Sequence, residues 1–169
     1  MKKILSVLVV LALLLGCTAA LAEETVTLKQ AYCAPNGSGS VGIVTVALQG
    51  DKIVAVHIDE LQWMDATSVS VLDAEGDLTK GFPEGKVLAS KLVNDESYSG
   101  MMAAYAGSTV TIANNYAAIE AFCVGKTVAE LEAAIAGLDT TTAVDAVSGA
   151  TLVNTLGYLQ SVLQAAKAN

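Results

Sequence analysis

A short run of small and hydroxyl-bearing residues near the C-terminus has the composition of an anion-binding turn. The run reads Ser148-Gly149-Ala150-Thr151, and apolar residues follow it at helical spacing: Leu152, Leu156, Leu159, Leu163 and Ala166. We predict an extended stretch before the run and an amphipathic helix that begins near its end. The first N–H groups of a helix lack intrahelical acceptors and carry partial positive charge, so they attract anions. Gly149 permits close backbone approach, Ser148 can cap the helix, and Thr151 places a hydroxyl in the first turn.

The aspartate before this run adds a more specific signal. Asp145, two further residues and Ser148-Gly149-Ala150-Thr151 closely resemble the flavinylation motif of the FMN-binding domain family. That family includes the flavoprotein subunits of sodium-pumping NADH:quinone oxidoreductases and related ion-pumping complexes. Its motif threonine carries FMN through a phosphoester bond, and the matching position here is Thr151. The resemblance extends loosely over residues 41–167, with the motif as its specific part.

The resemblance implies an FMN-binding domain that carries covalent FMN, with Thr151 as the attachment point and Ser148, Gly149 and Ala150 around the cofactor. It also implies a flavin transferase that takes FMN from FAD, and a role for Asp145 in recognition by that enzyme. We expect the Asp145 carboxylate to approach a helix N-terminus, where negative charge is favoured. Because a flavin exchanges one or two electrons, the expected function is an electron-transfer module with an unidentified redox partner.

From the residues alone, a second function stays open. Serine and threonine are common at helix starts, so the Ser148–Thr151 run is also consistent with an ordinary cap. The protein would then be an extracytoplasmic binding or wall-associated module without a cofactor. Visible absorbance of protein from the native host separates the two hypotheses.

The N-terminus has the pattern of an export signal. Lys2 and Lys3 precede an apolar run over residues 4–15, and Ala20-Leu21-Ala22 forms a small-x-small cleavage site. The favoured interpretation is a signal peptide over residues 1–22, which leaves a domain over residues 23–169. Both this interpretation and the alternative below predict an extracytoplasmic protein.

The alternative is a lipoprotein signal over residues 1–16. Leu14-Leu15-Gly16-Cys17 resembles a lipobox, in which a lipidated Cys17 would anchor the protein to a membrane. Leu15 fits poorly where a small residue is usual, and the stretch after Cys17 is apolar rather than a polar tether. The intact mass of the mature chain distinguishes the two interpretations.

The charge of the predicted mature domain limits its partners. The nine basic residues less Lys2 and Lys3 leave seven lysines and no arginine against seventeen acids, a net charge of −10. This acidic balance argues against nucleic acid and against anionic membrane surfaces. Without arginine, a phosphate would be held by backbone N–H groups, hydroxyls or lysine.

The remaining reactive residues support neither a catalytic nor a metal site. His57 is the only histidine, so zinc sites and Ser-His-Asp arrangements lack their parts. We therefore expect an electron carrier rather than a stand-alone enzyme. Cys33 and Cys123 form a disulfide or remain two buried free thiols, and the sequence does not choose between these states.

The pattern of elements predicts one α+β domain, with a small antiparallel sheet packed against helices. Strands are expected over residues 26–32, 41–48 and 52–60, the last two joined by a hairpin. Helices are expected from about Thr109 to Gly125 and from a Thr127–Glu130 capping box to Gly137. Residues 61–83 are expected to be irregular and 98–102 to form a loop. Trp63 and Met64 could flank a flavin ring or anchor that irregular segment in the core.

Overall fold

The computed structural model describes residues 25–37, 39–69 and 85–169. The predicted export signal, Cys17 and most of the stretch expected to be irregular lie outside these residues. The described part contains the following strands and helices in chain order: β1 Val26–Cys33, β2 Ser40–Gln49, β3 Lys52–Asp65, β4 Lys86–Ser90, α1 Asp95–Ala106, α2 Ile112–Cys123, α3 Val128–Ile135, α4 Thr140–Ala146 and α5 Thr155–Ala166.

The four strands form one antiparallel sheet in the order β1-β2-β3-β4, which confirms the predicted α+β class. Gly50, with φ of 62°, lies in the turn of the predicted β2–β3 hairpin. The pairing skips Val54, since Ala47 faces Ala55 while Leu48 faces Ile53. This bulge turns Ile53 into the core, where strict alternation would have placed it on the face of His57.

The helices that contact the sheet enclose a single main core. Helix α5 packs on β1 and β2, and α2 packs on β3. The core side chains are apolar residues from both layers, including Val44, Val46, Ile58, Tyr116, Ile119, Leu159 and Val162. Within the described residues, no helix is both long and apolar enough to cross a bilayer.

The two middle helices begin where their local sequence signals predict. The Thr111 side chain accepts a hydrogen bond from the Asn114 N–H at the start of α2. Thr127 and Glu130 form the predicted capping box at the start of α3, each side chain accepting from the other residue's backbone N–H. These caps satisfy N–H groups that a helix cannot satisfy internally.

Four local expectations were wrong. Residues 61–65 continue strand β3, because they pair with β4. Residues 98–102 lie inside α1 rather than in a loop. The stretch before the motif is helix α4, whose N-cap Asp139 forms a capping box with Thr142. Helix α5 begins at Thr155, three residues later than Leu152.

The loop after β1, which contains Pro35, lies in close contact with both the sheet and α5. A Cβ atom at Gly42 of β2 would lie 2.8 Å from Pro35 Cδ. A Cβ atom at Gly157 of α5 would lie 2.5 Å from the Pro35 carbonyl oxygen. Glycine at both positions therefore lets the Pro35 segment reach the start of α5, next to the Ser148–Thr151 run.

We expect Gly157→Ala to destabilise the fold, because the new methyl group would collide with the backbone of Pro35. Such overpacking costs about 1–3 kcal/mol. Chemical denaturation followed by circular dichroism measures the change in the free energy of unfolding.

The matched control for this substitution is Gly100→Ala in α1. Its Cβ would meet nothing within 4 Å, and alanine is preferred over glycine inside a helix by roughly 0.5–1 kcal/mol. Equal changes in the free energy of unfolding for the two variants would contradict the close contact between Gly157 and Pro35.

Candidate functional site

The motif forms the connection between α4 and α5. Gly149 has φ of 91°, in the left-handed region that favours glycine. Ala150 is buried and its N–H donates to the Val147 carbonyl at 3.1 Å. Ser148, Gly149 and Thr151 are exposed. The run is therefore a tight turn that has one buried anchor and presents two hydroxyl groups to solvent.

Thr151 is held by a buried amide on α2. Its N–H donates to Asn115 Oδ1 at 2.6 Å, and its hydroxyl lies 3.4 Å from the same oxygen. Asn115 is 1% exposed, and its Nδ2 donates to the carbonyls of Val110 and Thr111 at 3.2 and 2.9 Å. Asn115 was not among the site residues predicted from the sequence. The available signal was a polar residue beside Tyr116 on the apolar side of a predicted helix.

Thr155 differs sharply from Thr151, although both follow the glycine. Thr155 is fully buried, and its hydroxyl donates to the Leu152 carbonyl at 2.6 Å. The Thr155 hydroxyl is therefore already hydrogen-bonded inside the protein. Thr151 has the more accessible threonine hydroxyl of the two.

The structure corrects the predicted electrostatics of the turn. Since α5 begins at Thr155, Thr151 lies before the helix and not in its first turn. Asp145 is exposed in the last turn of α4, where a negative charge meets the unfavourable end of the helix dipole. The expected placement of its carboxylate at a helix N-terminus is therefore wrong.

Two cavities lie on the side of the site formed by α1. The smaller, about 30 Å³, borders the motif and is lined in part by Tyr98, Met102, Asn115 and Leu152. That volume is about the share of one water molecule. It can admit solvent but no planar ring system.

The larger cavity has a volume of about 360 Å³ and shares Tyr98 with the smaller one. Its lining combines aromatic and sulfur-containing side chains with polar ones, among them Trp63, Met64, Tyr98, Met101, Tyr105 and Lys86. Trp63 is 38% exposed, while Met64 is buried in a small cluster with Val87 and Ala89. Trp63 and Met64 therefore flank this cavity, and their predicted role beside a flavin stays a prediction.

A buried carboxylate, Glu60 on β3, is the centre of a polar network inside the protein. Glu60 is fully buried and forms an ion pair with the equally buried Lys91, with 2.5 Å between Nζ and Oε2. Ser40 donates to its other oxygen at 2.5 Å, and the Tyr158 hydroxyl also donates to Glu60. Asn36 adds a hydrogen bond at 3.0 Å. Each partner comes from a different segment, so the carboxylate joins distant parts of the chain.

The network controls the ionisation of its members. Burial alone would raise the pKa of Glu60, but hydrogen bonds from Lys91, Ser40 and Tyr158, with the charge of Lys91, lower that pKa below its usual 4.5. Burial, together with the nearby Glu60 charge, raises the pKa of Tyr116 and Tyr158. Glu60 is therefore ionised and both tyrosines keep their protons at neutral pH.

The same network reaches both the cavities and the motif. Lys91 Nζ lies 5.0 Å from the centroid of the Tyr98 ring, a cation–π distance. On the other side, Asn36 accepts a hydrogen bond from Asn154, the N-cap residue of α5. Tyr98, which lines both cavities, and Asn154, at the end of the motif loop, are thus both linked by contacts to the buried Glu60–Lys91 ion pair.

The remaining candidate residues do not assemble into a second site. Cys33 and Cys123 are both free thiols, of which Cys123 is buried and Cys33 is only partly buried. Burial raises the pKa of the Cys123 thiol to about 12. His57 Nδ1, on strand β3, lies 4.0 Å from Glu120 Oε1 on helix α2. The part of the chain that the structure describes contains no group of three or more His, Cys, Asp or Glu side chains placed to hold a metal.

Comparison with known proteins adds no assignment. No family model, curated protein or solved structure gives a significant match to the chain. Any functional argument therefore depends on the Asp145–Thr151 motif and on the geometry around it.

We expect Glu60→Gln to destabilise the fold strongly, because it leaves Lys91 buried without its counter-charge. Removing one member of a buried pair typically costs about 3–5 kcal/mol. The lowered pKa of Glu60 also implies that its ionic contribution is present above about pH 4.5 and is lost as the pH falls through the folded-state pKa. Urea unfolding between pH 3 and pH 7, roughly spanning that range, measures both effects.

The control is Glu132→Gln, which breaks the exposed ion pair with Lys167 at 2.5 Å. Exposed pairs contribute about 0–1 kcal/mol, so this variant should resemble the wild type at every pH. A Glu60 variant that unfolds with the same free energy and pH slope as the wild type would contradict the assigned role.

Proposed function

We propose that this chain is an exported electron-transfer flavoprotein that carries FMN covalently on Thr151. The observation that carries the proposal is the Asp145–Thr151 motif, whose threonine hydroxyl is accessible while its backbone is held by buried Asn115. An attachment point needs both properties, since the hydroxyl must be accessible to the flavin donor and the attached flavin must be held in one position.

The attachment requires a second protein. A threonine hydroxyl is a weak nucleophile that needs an adjacent base or an activated donor. The chain has one histidine, His57, and its ring lies 4.0 Å from Glu120, with no contact to the motif among the hydrogen bonds and ion pairs of the described residues. A flavin transferase that uses FAD as donor would supply the activation, as the motif resemblance implies.

The larger cavity suits the isoalloxazine ring of the attached FMN. Its volume of about 360 Å³ is within the roughly 300–1,000 Å³ usual for ligand sites, whereas the smaller cavity is far too small. Trp63 and Tyr98 offer faces for stacking, and Met64 and Met101 offer sulfur–aromatic contacts. Tyr105, 87% exposed, places part of this lining at the surface, where a redox partner could approach.

The alternative is a binding module without cofactor, and the same cavity supports it. An aromatic-lined cavity whose lining also includes Lys86 and Asp65 would also take a small planar ligand noncovalently. The two functions differ in one observable, because only the flavoprotein has visible absorbance that survives denaturation.

We expect Thr151→Ala to abolish covalent flavin while the protein stays folded, because an exposed loop residue contributes little packing. Thr151→Ser should retain part of the modification, since the hydroxyl remains. The experiment is co-expression with a flavin transferase, followed by intact mass and in-gel flavin fluorescence. Thr155→Ser is the control and should be modified like the wild type, because residue 155 is buried.

Peptide mapping decides the result. Flavin on Ser148 or Thr155 would contradict the assignment of Thr151. A wild-type chain that carries no covalent flavin under these conditions would overturn the proposed function and favour the binding module.

We expect Asp145→Ala to keep near-normal stability but to be modified slowly. Its exposed carboxylate at the end of α4 gains nothing from the helix dipole, so the aspartate fits a recognition role better than a structural one. Thermal unfolding and the rate of flavin incorporation measure the two properties. Asp51→Ala, at another exposed aspartate, is the control. Unfolding, or modification at the wild-type rate, would count against recognition.

A further inference from the structure

The orientation of the Asn115 amide is determined by its surroundings. Two carbonyl oxygens, of Val110 and Thr111, face one end of the amide and accept hydrogen bonds from its Nδ2. Each also accepts from a second donor, Ser108 Oγ or the Asn115 backbone N–H. The N–H of Thr151 faces the other end and needs an acceptor. Only one orientation satisfies all three groups. Oδ1 is therefore directed at Thr151, because a flipped amide would set Oδ1 against the two carbonyl oxygens and Nδ2 against the Thr151 N–H.

Asn115 is itself fixed through the start of α2. The N–H of Ile112 donates to Ser99 Oγ at 2.9 Å, and the N–H of Ala113 donates to Asp95 Oδ1 at 3.1 Å. Ser99 in turn donates to the same Asp95 oxygen at 2.8 Å. Two side chains of α1 thus accept hydrogen bonds from the first turn of α2, which fixes the position of the helix that carries Asn115.

We infer that Asn115 is a positioning residue that presents Thr151 for phosphoryl transfer. The inference rests on the proposed function and identifies a residue outside the motif that determines which hydroxyl reacts. Thr155 is buried, and among the described residues Ser148 makes no comparable bond to a buried side chain. Thr151 alone among the three is both accessible and held.

The geometry fits the chemistry of the transfer. In that step the Thr151 oxygen forms a bond to the phosphorus of the FMN half of FAD. The bond from that phosphorus to the AMP half breaks, AMP leaves, and the hydroxyl proton passes to the transferase or to solvent. Asn115 Oδ1, 3.4 Å from Thr151 Oγ1, accepts a weak hydrogen bond from the resting hydroxyl and so holds its oxygen in place. The hydroxyl hydrogen rotates away from Oδ1 before the transferase or solvent takes the proton. After transfer, the Thr151 side-chain oxygen is part of the ester and has no hydrogen to donate. The Thr151 backbone N–H still donates to Asn115 Oδ1.

The test compares Asn115→Ala with Asn114→Ala, its exposed neighbour on α2, in purified apoprotein incubated with FAD, Mg²⁺ and flavin transferase. We expect the Asn115 variant to lose about tenfold or more in the kcat of modification, with an unchanged KM for FAD. Asn115→Asp keeps an acceptor for Thr151 but loses both donors, so it should fall between wild type and alanine. Modification of Asn115→Ala at the rate of Asn114→Ala would overturn the inference.

A second measurement does not depend on how the variants fold. Hydrogen exchange of the wild-type apoprotein should show a protected Thr151 amide beside a fast-exchanging Ser148 amide. Exchange of Thr151 at the rate of an unstructured residue would also overturn the inference. Absence of flavin on the wild type removes the proposed function itself, whereas wild-type modification with equal rates in the variants removes only the role of Asn115.

Discussion

The buried ion pair of Glu60 and Lys91 is the interaction on which the rest of the structure depends. A carboxylate that is fully removed from water is stable only if its lone pairs are satisfied. Glu60 meets this condition with donors from the loop after β1, from β2, from the turn after β4, and from α2 and α5. These segments must meet in one arrangement for the charge to be paired, so the network selects a single packing of helices on the sheet.

The position of the motif follows from that arrangement. Tyr158 fixes α5 to Glu60, and Asn36 joins Glu60 to Asn154 at the end of the motif loop. Gly157 allows the Pro35 segment to lie directly on the first turn of α5. The other end of the loop is held by Asn115. An exposed turn is thus anchored at both ends, by the buried Asn115 and by the Asn36–Asn154 hydrogen bond that leads to Glu60. This explains how an accessible hydroxyl can also be well placed.

Sequence reasoning succeeded where the signal is local and failed where it is not. The Thr127–Glu130 capping box and the β2–β3 hairpin are encoded within a few residues, and both were predicted correctly. Helix α4 was missed because a run of β-branched threonines concealed the Asp139 capping box. The later start of α5 and the role of Asn115 depend on contacts between residues far apart in the chain, such as Asn115 with Thr151 at a separation of 36, and no local pattern encodes those.

The charge of the chain bears on why attachment would be covalent. A phosphate monoester carries about −1.5 to −2 charges at neutral pH, and residues 23–169, with seven lysines, seventeen acids and no arginine, have a net negative charge that disfavours binding such a group. Of the cations near the cavities, Lys91 is already neutralised by Glu60. Esterification to Thr151 would leave the phosphate with a single charge, and a covalent bond would take the place of noncovalent affinity. On the proposed function, the site then needs only to orient the ring, and a cavity with aromatic and sulfur-containing walls provides that without a strong anion site.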